Sequence, residues 1–311
     1  MNEVKSPAEH GNSTGNLIFV FMNWVPLWAR TWILQRLGEI LYYVDERHRR
    51  IALRNLAIAF PGKSIEEKKH LALAVFRHLG RVLGEFSFIP RFNKKNIQDF
   101  VGIQGLEHYQ TAQEQKRGIV FLTAHFGNWE WMAAAFPLVT GRPVHVIFRP
   151  LDNHFFDRTV ERLRTWTGNQ GVPKQKSMGR ILRLLKSGQI VGILLDQNVA
   201  WQEGVFVDFF GELACTNKGL ALLALKTGAA VLPTFNVREP HGRYRVIIEP
   251  EIPLIRTGDK EFDIQKNTEL FTAVIERYIR EYPDQWLWVH QRWKTRPWQA
   301  KKLKGTAEFS T

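Results

Sequence analysis

From about residue 62 the chain alternates short apolar runs with segments of helical periodicity, and this alternation restricts the fold more than any other feature. "GIVFLTA" (118–124), "VHVIFRP" (144–150), "QIVGILLDQ" (189–197), "AAVLPTFNVRE" (229–239) and "YRVIIEPEI" (244–252) have the length and residue types of buried strands. Between them lie "WEWMAAAFPLV", "HFFDRTVERLRTWTG", "SMGRILRLLKSG" and "NKGLALLALKTG", helices of which the last three end at Gly168, Gly188 and Gly228. A helix opens the series, with Ser64 and Glu67 in capping-box spacing, and "IQKNTELFTAVIERYIREYP" closes it. Such alternation predicts α/β layering around a mixed, mainly parallel sheet flanked by helices, in one domain over 62–298.

The ends read differently. Residues 1–16 are polar and rich in Gly, Ser and Asn, a composition that predicts a disordered tail, and 299–311 form a basic tail. Residues 17–61 read as a membrane-anchoring helical segment. The uninterrupted apolar part, 17–29, has about half the length of a spanning helix, and no small-residue cleavage site follows it. An interfacial or shallowly inserted anchor fits best, with a tilted single span and a buried core helix as alternatives. Arg47, Arg49, Arg50 and Arg54 follow, placed to meet anionic headgroups at roughly 1 kcal/mol each.

Composition narrows the partners. A formal charge of +13 and eleven tryptophans point to an anionic partner and to an interface where apolar and wet regions meet. No nucleic-acid motif is present, and the tryptophans are not interleaved with basic residues as stacking platforms are. The lone Cys215 excludes an internal disulfide and any cysteine-based zinc site; set in an apolar pattern, it reads as a small core residue.

One junction carries the chemistry. In "GIVFLTAHFGNWEWMAAAFPL" the apolar run stops at His125, and Glu130 comes at the start of the next helix. In an unbroken helix two residues five apart diverge by about 140°. A strand-to-helix turn lets them converge, and "HFGNWE" supplies one: Gly127 tolerates unusual dihedrals and Asn128 is an N-cap type. His125 then sits at the carboxyl end of a strand, where open α/β sheets place their ligand crevices. Glu130 in the first turn is expected to accept the proton on one imidazole nitrogen, leaving the other as a general base toward a hydroxyl. A structural histidine with a dipole-favoured glutamate is the alternative.

"AHFGNWE" resembles the HX4(D/E) signature of the glycerolipid acyltransferase superfamily, and within it the bacterial lipid A late acyltransferases. "RNLAIAFPGKS", "FRPLDN", "LLDQN", "GVFVDFFGELACTNKGLALLALKTGAAVLP" and "PDQWLWVHQRWKTRP" resemble further family blocks in the expected order, across roughly residues 45–297. The resemblance implies a glycerolipid acyltransferase-like fold and acyl transfer from an acyl carrier protein thioester to a hydroxyl of an acylated glucosamine disaccharide, at the cytoplasmic face of the bacterial inner membrane. It makes His125 the general base and Glu130 its orienting partner. Arg149 and Arg164 become substrate-binding residues. Asp196 and Gln197 stand at the third block, where the wider superfamily has glutamate and glycine, which leaves their exact role open. Pro233 matches the fourth block's proline as a backbone-shaping element. The partners implied are the acyl carrier protein, a lipid A precursor and an anionic membrane, with no cofactor and no metal. Backbone N–H groups of the turn are expected to hold the oxyanion. The rivals are an acyltransferase acting on another glycolipid or a lysophospholipid, for which "LLDQN" lacks the usual glutamate-glycine-threonine pattern, and a non-catalytic basic membrane-binding protein, which would be indifferent to loss of His125.

Overall fold

The computed structural model describes residues 24–148, 154–174 and 177–298. The expected tails at 1–16 and 299–311, and Arg149, lie outside the described residues.

In chain order the elements are α1 (Leu27–Val44), α2 (Glu46–Ala59), α3 (Ile65–Phe86), α4 (Ile97–Phe100), β1 (Val101–Gln104), α5 (Leu106–Glu114), β2 (Ile119–Thr123), α6 (Trp129–Thr140), β3 (Val144–Phe148), α7 (His154–Thr165), β4 (Gln170–Pro173), α8 (Met178–Lys186), β5 (Ile190–Leu194), β6 (Gly204–Phe209), β7 (Glu212–Asn217), α9 (Gly219–Thr227), β8 (Ala230–Arg238), β9 (Tyr244–Ile248) and α10 (Lys260–Glu281). Seven strands form one sheet in the order β1-β9-β8-β2-β5-β3-β4, and β6 and β7 form a separate hairpin. Every neighbouring pair in the sheet is parallel except β8 and β9. This is the mixed, mainly parallel α/β architecture that the alternation predicts.

β2 shows why its sequence is apolar throughout. Val120 and Leu122 point into one core with Ile181 and Leu185 of α8, Leu220 and Ala221 of α9 and Phe271 and Ile275 of α10. Ile119 and Phe121 point into the other, with Trp131, Ala135 and Phe136 of α6 and Tyr109 of α5. A strand buried on both faces has no polar side to alternate with. Pro233, which has no N–H to donate, sits where the β8 pairing with β2 ends; pairing with β9 begins at Thr234.

The N-terminal helices join this body by close backbone packing. α1 runs antiparallel along α3. A Cβ on Gly38 would lie 2.3 Å from the Phe76 carbonyl oxygen, and one on Gly80 2.1 Å from that of Leu34. The buried Arg30 guanidinium donates to the Ser87 hydroxyl at 3.1 Å, tying α1 to the end of α3. The outer side of α1 stays apolar and open, with Trp28 73% and Trp32 58% exposed, followed by Ile40, Tyr43 and Val44, and preceded by Trp24. Among the described residues no helix is long and apolar enough to cross a membrane. Asp45 separates α1 from α2 and caps α2 by accepting the His48 N–H. α2 is not a free basic arm: Ala52, Leu56 and Ala59 are buried, and Asn55 donates to the Trp288 and His290 carbonyls.

Candidate active site

The turn between β2 and α6 is built from below by buried polar groups. Gly127 has φ of +55°, and a Cβ there would fall 1.6 Å from the Asn236 carbonyl oxygen, so glycine alone fits. Its N–H donates to the Gln285 carbonyl, and its own carbonyl accepts from Nε2 of His78. Burial holds His78 down to about 3, so the ring is neutral and its Nε2 carries the proton. Asn128 caps α6 through Trp131 N–H, as its residue type predicts, while its amide donates to Glu85 at 2.8 Å. The buried Glu85 carboxyl is pushed up to about 7 by desolvation, against hydrogen bonds from Tyr244 and Asn128 and the charges of Arg81 and Arg238.

His125 emerges from this turn, and its partner comes from the next strand. Leu195 N–H donates to the Thr123 carbonyl, extending the β2–β5 register by one step and laying Asp196 beside His125. Nδ1 of His125 is 2.9 Å from Oδ1 of Asp196, and the His125 backbone N–H donates to Oδ2 at 3.1 Å. Trp286 Nε1–H donates to the same Oδ2 at 2.8 Å. Burial by itself would push the Asp196 carboxyl up. The His125 charge and the hydrogen bonds from His125 and Trp286 outweigh it and bring Asp196 down to about 2. A charged carboxylate on Nδ1 fixes the proton there and leaves Nε2 as the basic nitrogen, on a ring that keeps 22% of its side chain exposed.

Glu130 is therefore not where the turn geometry alone puts it. It faces Arg164 of α7, which donates from Nε and Nη2, the shortest contact being 2.6 Å. A permanently charged fork is the stronger partner for a carboxylate than a neutral imidazole. The Arg164 guanidinium is held above its ordinary value: burial opposes this, but the Glu130 charge and hydrogen bond prevail. Trp129 stands between Glu130 and His125: its indole N–H donates to Glu130 and its ring stands edge-on to the imidazole, centroids 5.2 Å apart. Three N–H groups of the turn are engaged within the fold: those of His125, Phe126 and Gly127 go to Asp196, Ala124 and Gln285.

The C-terminal segment after α10 straps these loops together. Leu287 N–H donates to the His125 carbonyl, and Nε2 of His290 accepts the Asn198 N–H at 2.9 Å. Thr295 and Asn198 bond side chain to side chain and side chain to backbone. Arg292 is fully buried, donating to Cys215 and Thr216 and lying over the Phe209 ring; burial lowers it to about 10 despite the charge of Asp196. Cys215 is a buried core thiol, raised by desolvation. Of the residues expected at the site, His125 and Asp196 meet, Glu130 and Arg164 meet, and Gln197 is exposed on the bend after Asp196. Trp286 and the Glu85–Asn128–Tyr244 support were not foreseen. The one sequence sign of the pairing is that two apolar strands, "GIVFLTAH" and "QIVGILLD", both end in a titratable residue.

The site thus pairs an imidazole with a buried carboxylate at adjacent strand ends of an α/β sheet. The family described as bacterial lipid A biosynthesis acyltransferase matches residues 1–295. The chain belongs to this family, and by that membership it is an acyltransferase. It is 30% identical to the lipid A biosynthesis lauroyltransferase of Escherichia coli (strain K12) over 265 residues, 84% of each chain. It is 29% identical to the lipid A biosynthesis palmitoleoyltransferase of the same organism, again over 84% of each chain. A lipid A biosynthesis acyltransferase of Haemophilus influenzae is 25% identical over 93% of this chain and 89% of its own. Among solved structures, the 1-acyl-sn-glycerophosphate acyltransferase PlsC of Thermotoga maritima aligns at a TM-score of 0.38 and 16% identity, over 83% of this chain and 99% of that one.

Proposed function

We propose that the protein transfers a fatty acyl chain from an acyl carrier protein thioester to a hydroxyl of a lipid A precursor, with His125 as general base. The observation that carries this reading is the His125–Asp196 pair, in a chain of this family. The acceptor oxygen attacks the thioester carbonyl carbon while its proton passes to Nε2 of His125. Asp196, charged and held by Trp286, keeps Nδ1 protonated and stabilises the imidazolium that forms. Collapse of the tetrahedral intermediate breaks the C–S bond, and the imidazolium returns its proton to the departing thiolate. Arg164, steadied by Glu130, supplies positive charge beside the cleft for the acceptor's anionic groups. Arg149 and Gln197 are proposed to contact the acceptor as well.

The surroundings suit those substrates. A carrier protein that is acidic and an acceptor that bears phosphates both match a chain of charge +13. The tryptophan-rich outer side of α1 suits a monotopic seat on the cytoplasmic face of an anionic membrane, where both an acyl chain and a lipid acceptor are within reach.

The test is an assay of wild type and His125→Ala in detergent, with acyl carrier protein thioesters of several lengths. The acceptors are a tetra-acylated lipid A precursor with and without its acidic sugars, and a lysophospholipid. Transfer to the precursor that falls by orders of magnitude in the variant is the expected result. Transfer that survives in His125→Ala removes the base, and activity confined to the lysophospholipid removes the acceptor.

A further inference from the structure

Asp196 has two carboxylate oxygens, and only Oδ1 faces the imidazole. Oδ2 receives the indole N–H of Trp286 at 2.8 Å. Trp286 is fully buried, standing edge-on to Trp288 at 4.7 Å and to Phe209 at 5.7 Å between ring centroids. An indole fully buried and packed against these rings has little room to turn its N–H to another acceptor. Its backbone is fixed to the catalytic turn as well: Phe126 and Trp286 form an antiparallel bridge, with Gly127 N–H on the Gln285 carbonyl and Leu287 N–H on that of His125. One residue of the strap therefore holds the carboxylate while its neighbours hold the histidine's main chain.

We infer that Trp286 is a positioning residue of this site, whose indole N–H sets the orientation and charge distribution of Asp196 and through it the tautomer and basicity of His125. The inference rests on the proposed role of His125 as base. An N–H on Oδ2 draws negative charge away from Oδ1. Without it, the carboxylate holds an imidazolium more firmly, so the pair keeps its proton to higher pH. It also loses a restraint on its rotation, which weakens the alignment of Nε2 with the acceptor hydroxyl.

The experiment compares kcat, KM and the pH dependence of acyl transfer in wild type, Trp286→Phe, Trp293→Phe and His125→Ala. Phenylalanine keeps most of the buried ring and removes the donor. Trp293 is the control: another buried indole of the same strap, whose N–H does not go to Asp196. Trp286→Phe is expected to lower kcat about tenfold, the loss of one buried hydrogen bond to a charged group, with KM for the acceptor unchanged. The acid limb of kcat/KM moves up by about half a unit. Trp293→Phe moves neither the limb nor kcat beyond what its lowered stability explains. A limb that stays in place in Trp286→Phe overturns the inference while His125→Ala remains inactive. Transfer surviving in His125→Ala overturns the underlying reading instead. Should Trp286→Phe fail to fold, indole 15N resonances of the Trp129→Phe protein give the same answer. One indole N–H titrates in step with the acid limb and ceases to do so in Asp196→Asn; an invariant set of indole shifts overturns the inference.

Discussion

Replacing Asp196 by asparagine separates the geometry seen here from the one that the turn motif by itself suggests. The Asp196 side chain meets donors only: the His125 Nδ1–H, the His125 backbone N–H and the Trp286 indole N–H. An asparagine brings two N–H groups of its own into that ring of donors. If its oxygen faces Trp286, its amide nitrogen faces Nδ1 of His125 and must donate to it. The imidazole proton then moves to Nε2, the nitrogen that has to be free. A wrong tautomer of this kind lowers kcat by about 10⁴-fold in the serine hydrolase case, equivalent to roughly 5 kcal/mol of transition-state stabilisation. The folded protein loses stability too. Holding the carboxyl at about 2 against its ordinary 3.8 corresponds to roughly 2 to 3 kcal/mol. The sign follows from the depressed value: this contribution is complete above about pH 4 and fades as pH falls toward 2, so the Tm difference between wild type and Asp196→Asn narrows in acid. The assay is acyl transfer from the carrier thioester, run beside Glu130→Gln. Transfer by Asp196→Asn within tenfold of wild type, together with a dead Glu130→Gln, would refute the pairing and return Glu130 to the imidazole.

Other perturbations test the supports of the site. Gly127→Ala places a methyl 1.6 Å from a backbone oxygen at positive φ, and is expected to cost several kcal/mol and to be read as a large drop in Tm or loss of soluble protein. Glu85→Gln removes a carboxyl that burial raises from 4.5 to about 7. A raised carboxyl destabilises the fold progressively as pH climbs from the unfolded value through the folded one, so the variant's Tm relative to wild type improves between pH 5 and pH 8. An unchanging difference would show that Glu85 stays ionised. Gly80→Ala drives a Cβ to 2.1 Å from the Leu34 carbonyl, and is expected to loosen α1 from α3, measured as faster hydrogen exchange in Leu27–Val44 with the catalytic body still protected.

Much of the fold was legible locally. Ser64 and Glu67 form the capping box their spacing announces, Asn128 caps α6, and Gly127 takes the dihedral its type permits. These are contacts between residues within a few positions of each other, so a window of sequence contains both partners. The short strands β1, β4, β6 and β7 carry no strand pattern in the sequence. β1 and β4 are four residues long, and the β6–β7 hairpin holds small, aromatic and polar residues together, so none has a clear period of its own. The partner of β1 also lies far along the chain, Tyr244 for Val101.

The site divides in the same way. That His125 ends a buried strand at a glycine-bearing turn, and that the next helix begins with Asn128 and carries an acidic first turn, follows from the order of residues alone. Which carboxylate serves the imidazole does not. Glu130 is five positions away and Asp196 seventy-one, yet the parallel pairing of β2 with β5 brings the distant one to 2.9 Å. Arg164, from a third element, takes the near one. Hydrogen-bond partners are chosen by distance and direction among all groups that the packed sheet brings together. Sequence separation sets neither, so the chain's order put His125 at the end of its strand and only the tertiary structure decided which carboxylate it meets.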